Sequence, residues 1–116
     1  MSEYCPGTVV MVEPKGVPLV AKDRPYLIIG RIRGGYVCTK LTTKQRGDSD
    51  IEVFVKATDD NGLKLDSYVL PLSIWTFSTV SITRAVASVS TPILNEVREK
   101  ALRELLPSLG QGWQAT

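Results

Sequence analysis

Two apolar runs, residues 26–32 and 36–41, stand on either side of Arg33-Gly34-Gly35. A Gly-Gly pair tolerates the positive φ values of a tight turn, so this segment predicts two adjacent antiparallel strands joined by a short hairpin. Much of the remaining chain is punctuated in the same way. Thr8-Val9-Val10-Met11-Val12 is rich in β-branched residues and reads as a first strand, ended by the two prolines and the glycine of residues 13–18. Residues 51–55 place apolar side chains at every second position, the signature of a strand with one buried face. Asp59-Asp60-Asn61-Gly62 is a turn by composition, and residues 67–70 and 79–82 read as two further short strands. Residues 13–24 form a loop that is long for a small β domain, and residues 44–50 form a second, polar one.

One helix closes the pattern. Thr91 can cap an N-terminus whose first position is Pro92, where a missing N–H costs nothing. Leu94, Val97, Ala101 and Leu105 follow at steps of three and four, widened by Ile93, Leu102 and Leu106. Glu96 with Lys100 and Glu99 with Arg103 are spaced to pair across one turn. Pro107 is expected to end the helix and residues 107–116 to form a loose tail. The apolar stripe can pack on the sheet or meet a partner helix. Many short strands and one late helix predict a mainly β fold: a small SH3-like antiparallel barrel of about five to seven strands with a C-terminal α-helix. The whole chain, 1–116, is expected to be one domain with its core in residues 7–106, since 116 residues are too few for two comfortable ones.

Composition narrows the function classes. No apolar run approaches the roughly 20 residues that cross a bilayer, and the start Met-Ser-Glu-Tyr-Cys lacks the basic region and apolar core of a signal peptide. A cytoplasmic location is expected. Cys5 and Cys38 lack the spacing of a zinc or redox motif, and there is no histidine. The commonest general base and the commonest metal ligand are therefore both missing, and neither a metal nor a cofactor is expected. Residues 1–46 hold eight Lys or Arg against three acids, whereas the remainder holds six against nine. Such an uneven distribution permits a phosphate-facing surface on a protein whose net charge is only +2; ordinary solvated charges would give the same count.

The order of these segments resembles the MazF/PemK family of toxins. Gly7-Thr8-Val9-Val10-Met11-Val12 is similar to the family's opening strand. Arg24-Pro25-Tyr26-Leu27-Ile28-Ile29 matches its Arg-Pro and following strand, and Leu41-Thr42-Thr43 its aliphatic-Thr strand end. Gly62-Leu63-Lys64-Leu65-Asp66-Ser67-Tyr68-Val69 and Ile74-Trp75-Thr76-Phe77 keep the family order, and the final helix falls where the family has one. The likeness runs from about residue 7 to residue 106. It implies a metal-independent, sequence-selective endoribonuclease that cleaves single-stranded mRNA, acts as a homodimer and is silenced by a cognate antitoxin, with no membrane involvement. RNA can cleave itself when its 2′-hydroxyl attacks the neighbouring phosphorus, so the protein need only hold sugar and phosphate in line and stabilise charge on the phosphorane.

On this resemblance Arg24 and Thr42 are the catalytic candidates. The Arg24 guanidinium stays charged and offers several donors to phosphate oxygens; a surface salt bridge to Asp23 or Asp66 is its other reading. Thr42 can donate to or accept from the phosphate or the 2′-hydroxyl, or be a strand-end Thr chosen for β propensity. Lys22, Lys44 and Arg46 are candidates for RNA backbone contact and Thr43 for RNA contact beside them; Lys40 can touch phosphate or be a solvated lysine, and Ser67 matches a further family position or is an ordinary strand hydroxyl. Trp75 stands where some family members carry Arg; it can stack on an RNA base or be buried in the barrel or at a dimer interface. The general base is unassigned among Asp23, Asp66 and Glu13. An inactive barrel serving as a binding or regulatory module, and a toxin that poisons a protein as CcdB-type toxins do, are the other two function classes.

Overall fold

The computed structural model describes residues 4–13, 24–45 and 51–114, with side chains through Glu104. Its strands are β1 (Thr8–Val12), β2 (Arg24–Ile32), β3 (Gly35–Thr42), β4 (Val53–Val55), β5 (Ser67–Ser78) and β6 (Ile82–Ser88), followed by the helix α1 (Thr91–Gln114). They form one antiparallel sheet in the order β4-β5-β3-β2-β1-β6. The hairpin expected at Arg33-Gly34-Gly35 is present as β2–β3, with Gly34 at φ 80.

Alternation along the strands sorts their side chains onto two buried faces. Val10, Val12, Tyr26, Ile28, Tyr36, Cys38, Phe77 and Ile82 make one core. Their neighbours in sequence, Val9 and Leu27, join Leu41, Val53, Val55, Val69 and the helix residue Val97 in the other. Register enforces this division. Leu41 faces Val69 and Val69 faces Val53, while on the other side of the sheet Cys38 faces Trp75 and Tyr36 faces Phe77. Register shifts in the β1–β6, β2–β3 and β3–β5 ladders bend the sheet so that one surface can enclose a core of its own.

The two ends of the strand order are brought together by residues 56–66. The Ser88 N–H donates to the Asn61 carbonyl at 2.9 Å. Gly62, at φ 83, comes so close to β6 that a Cβ there would lie 2.9 Å from the Val86 carbonyl oxygen. Asn61 organises the segment around itself. Its Oδ1 accepts from the N–H groups of Thr58 (3.1 Å) and Leu63 (2.9 Å), its Nδ2 donates to the Lys56 carbonyl (2.8 Å), and its own N–H donates to Thr58 Oγ1 (3.1 Å).

Four local expectations need correction. The strand predicted at 67–70 is the first part of the twelve-residue β5. Pro71 does not stop it, because the β3–β5 register jumps from Lys40↔Leu70 to Thr39↔Ile74 and leaves residues 71–73 without β3 partners. Residues 79–81 are a 3₁₀ turn and not a strand, tied to the β2–β3 hairpin by the Thr79 N–H on the Gly34 carbonyl at 3.2 Å. The helix is capped one residue before Thr91: Ser90 Oγ accepts from the Ile93 N–H at 3.4 Å and its carbonyl from the Leu94 N–H at 3.0 Å. It also continues past Pro107 to Gln114, although a proline inside a helix has no N–H to reach the carbonyl four residues earlier. Of the stripe, Leu94, Val97 and Ala101 are buried against the sheet, whereas Leu102 is exposed. Both expected pairs form, Lys100 with Glu96 at 3.2 Å and Arg103 with Glu99. Two further links fix α1 to the sheet side: Arg98 Nε donates to the Ile29 carbonyl at 2.8 Å and Lys100 Nζ to the Glu52 carbonyl at 3.4 Å.

Candidate active site

The starts and ends of three strands meet at one edge of the molecule. Arg24 opens β2 opposite Val12, Thr42 closes β3 opposite Tyr68, and Ser67 opens β5 opposite Val55. Tyr26 pairs with Lys40, and the same register carried two residues further aligns Arg24 with Thr42. The result is a cleft of about 190 Å³ lined by Arg24, Pro25, Lys40, Leu41, Thr42, Thr43 and Ser67. Five of the nine residues singled out from sequence are thus brought together. A larger cleft of about 490 Å³ lies at the far end of β2 and β3 around Arg31, Arg33 and Thr79, and it holds neither Arg24 nor Thr42.

Within the small cleft the polar groups are not equivalent. Arg24 is exposed. Asp66, one of the two acids that could have held it, instead accepts the Ala57 N–H at 2.7 Å; Asp23 lies outside the described residues. Thr42 Oγ1 accepts the Lys44 N–H at 3.2 Å, which occupies a lone pair and leaves the hydroxyl proton to be donated outward. Lys40 is half-buried and Thr43 and Lys44 are exposed beside it. Ser67 is buried, and its hydroxyl already donates to the Leu65 carbonyl at 3.0 Å. Two positive side chains and a free O–H donor converging on a small concave surface suit an anion with several oxygens, such as a phosphodiester.

Behind the cleft stands an aromatic wall. Tyr26 is buried, with its ring edge-on to Phe77 (centroids 4.8 Å apart) and to Trp75 (6.3 Å). Burial pushes its phenol above the usual tyrosine range, the positive charge of Arg24 pulls it partly back, and Cys38 adds to the rise. The phenol therefore stays protonated at neutral pH and offers a donor, not a base. Trp75 lies parallel to Phe77 at 6.0 Å, half-buried, with Nε1 donating to Ser73 Oγ at 3.3 Å. It is packed into this wall and is not among the residues that line the cleft. Lys22 and Arg46 lie outside the described residues. Among the described residues no three His, Cys, Asp or Glu side chains gather as a metal site, and no helix is long and apolar enough to cross a membrane.

Two aromatic side chains near the cleft were passed over in the sequence. Phe54 occupies the exposed phase of β4 between buried Val53 and Val55, and it meets Tyr68 at 5.3 Å between ring centroids. The signal was the strand alternation itself, which turns a large aromatic away from the buried face.

Solved structures of bacterial toxins share this architecture. The MazE–MazF complex of Deinococcus radiodurans (crystal form I) superposes with a TM-score of 0.72 at 21% identity, covering 90% of this chain and 98% of that one. The Mycobacterium tuberculosis toxin MazF-mt6 gives 0.65 at 22% identity, covering 83% and 93%. A mycobacterial endoribonuclease in complex with its cognate antitoxin gives 0.68 at 18% identity, covering 89% and 95%. The fold is thus that of the MazF-like toxins. No curated protein is significantly similar in sequence. A profile of the PemK-like, MazF-like toxins of type II toxin-antitoxin systems matches residues 6–106, and the chain belongs to that family. Toxins of the MazF family are endoribonucleases.

Proposed function

We propose that this protein is the toxin of a toxin-antitoxin pair, a sequence-selective endoribonuclease that cuts single-stranded mRNA without a metal ion, works as a homodimer and is neutralised by a cognate antitoxin. The observation that carries this reading is the convergence of Arg24, Lys40 and Thr42 in one cleft of a chain of this family. In the reaction the 2′-oxygen bonds to phosphorus as the bond to the 5′-oxygen breaks. The 2′-hydroxyl gives up a proton and the departing 5′-oxygen gains one. Negative charge builds on the non-bridging oxygens as phosphorus becomes five-coordinate. Arg24 supplies paired N–H donors and a permanent positive charge to those oxygens. Thr42, its lone pair held by the Lys44 N–H, turns its O–H to the phosphate and fixes the in-line geometry. Lys40 adds charge from the neighbouring position on the same strand face, and Lys22, Thr43, Lys44 and Arg46 contact the flanking RNA. Ser67 and Trp75 support the cleft walls. The D. radiodurans toxin crystallised with MazE and the mycobacterial endoribonuclease with its cognate antitoxin support an antitoxin partner for this chain as well.

The test is incubation of the purified protein with a long single-stranded RNA in the presence of chelator, with the cut ends mapped. Discrete cuts are expected, and Arg24→Ala is expected to slow them roughly 10²–10³-fold, the usual loss when one donor to a developing oxyanion is removed. Thr42→Val should slow them as well, and both variants should retain wild-type melting because neither side chain is in a core. Absence of cutting by folded wild type, or undiminished cutting by both variants, would remove the proposed site.

A further inference from the structure

The lateral register across four strands places an aromatic pair beside the cleft. Phe54 on β4 is directly opposite Tyr68 on β5, and Tyr68 is directly opposite Thr42 on β3. Thr42 in turn aligns with Arg24 when the Tyr26↔Lys40 register is extended. Residues directly opposed on antiparallel strands point to the same side of the sheet. The adjoining row confirms the phase: Val53, Val69 and Leu41 face one another and all lie in the core under the helix. The row Phe54, Tyr68, Thr42 and Arg24 therefore projects from the opposite, outward side at this edge. Phe54 is 50% exposed although Val53 and Val55 beside it are almost completely buried.

We propose that Phe54 and Tyr68 form a stacking platform for the RNA base next to the phosphodiester that is cut; this rests on the ribonuclease reading of the Arg24–Thr42 cleft. Two strand spacings of about 4.8 Å separate Phe54 from Thr42, on the order of 10 Å. That is within reach of a base whose own phosphate is held at Thr42 and Arg24. The rings are tilted by 54° with centroids 5.3 Å apart, so they are not closed face to face against each other, and Phe54 keeps half of its surface for an incoming base. A protein partner would also cover exposed aromatics. Single-stranded RNA is favoured because the row runs without interruption into the cleft that carries Arg24 and Lys40, so π faces stand next to cationic donors. Stacking accepts any base, so the platform supplies affinity and orientation and leaves sequence choice to other contacts.

The experiment is single-turnover cleavage of a short single-stranded RNA centred on the mapped cut site. It is run with an intact base and with an abasic residue on either side of the cut. Phe54→Ala is expected to weaken half-saturation roughly 5- to 150-fold, the range for loss of one stacked base. Phe54→Leu, which keeps apolar bulk but no π face, should lose nearly as much, and Phe54→Trp should restore wild-type behaviour. On one side of the cut the abasic substrate should penalise wild type but add nothing to the loss in Phe54→Ala. Wild type that cuts while Phe54→Ala is indistinguishable from it, or abasic and Phe54→Ala losses that add in full, would overturn the platform and leave the ribonuclease reading intact. A change in sedimentation of Phe54→Ala with unchanged RNA half-saturation would assign the pair to a protein interface instead. Wild type that neither cuts nor binds the RNA would overturn both readings.

Discussion

Gly35 has the least room of the described glycines, and adding a single methyl group there tests the packing of β3 on β5. A Cβ on Gly35 would fall inside contact distance of the Phe77 carbonyl oxygen, 3.0 Å from its carbonyl carbon and 3.1 Å from Ser78 Cα. All three are backbone atoms of a strand paired with β3, so no side chain can swing aside. One of the two strands must move, and the ladder that pairs Gly35 with Ser78 and Tyr36 with Phe77 must stretch. Overpacking a tight core costs about 1–3 kcal/mol, and a collision with fixed backbone belongs at the upper end. At about 4 °C per kcal/mol for a domain of this size, Gly35→Ala should melt about 12 °C below wild type. Two other glycines of the same hairpin calibrate the result. A methyl group on Gly34 meets nothing within 4 Å, but its φ of 80 disfavours any L side chain by about 1–2 kcal/mol. Gly30 has open space and no positive φ, so Gly30→Ala should change stability by less than about 1 kcal/mol. Thermal melts followed by circular dichroism on the three variants should rank them Gly35, Gly34, Gly30. A Gly35→Ala melt within about 3 °C of wild type, or equal losses at Gly30 and Gly35, would refute the close approach of β3 and β5.

Two further expectations concern groups on either side of the sheet. Cys38 is fully buried, and burial pushes its thiol up to about 12, whereas Cys5 is exposed. Alkylation of native protein near pH 8 should therefore add one label per chain, at Cys5, and denaturant should expose the second; rapid double labelling of native protein would contradict the packing. Arg98 Nε donates to the Ile29 carbonyl beside the β2–β3 register shift. Arg98→Met, which keeps the stem and removes the donor, should destabilise by about 1.5–3 kcal/mol in urea melts, and an unchanged midpoint would show that water replaces the contact.

What could be read from the sequence divides along physical lines. The β2–β3 hairpin was legible because Gly-Gly permits the turn and the apolar runs on both sides demand burial. The exposed phase of Phe54 was legible from alternation in the same way. The extent of β5 was hidden, since Pro71 reads as a strand breaker until the register shift shows that its missing N–H faces no partner on β3. Thr79-Val80-Ser81-Ile82 has β composition, yet its first three residues, tied to Gly34 45 residues away in sequence, wind into a 3₁₀ turn and only Ile82 enters a strand. Ser90 and Thr91 are both capping residues, and only geometry chooses the first. At the site, Arg24 and Thr42 were found by resemblance, but their alignment depends on counting register through a hairpin whose ladder slips between Ile28 and Gly30. Engagement of Ser67 by Leu65 and of Thr42 by Lys44 is a matter of local turn geometry that residue types alone leave open.

The Asn61 clamp has a consequence for how this molecule behaves in a crowded solution. A six-stranded antiparallel ribbon has two outer strands, each of which presents unpaired N–H and C=O groups as a template for another chain. By handing its carbonyl to the Ser88 N–H, Asn61 lays residues 56–66 along the end of β6 and occupies a donor that an invading strand would use. The other outer strand, β4, is only three residues long, too short to seed a stable addition. One well-satisfied asparagine and one abbreviated strand thus act as guards against polymerisation, and they leave the exposed aromatic and basic groups as the surface through which the protein meets other molecules.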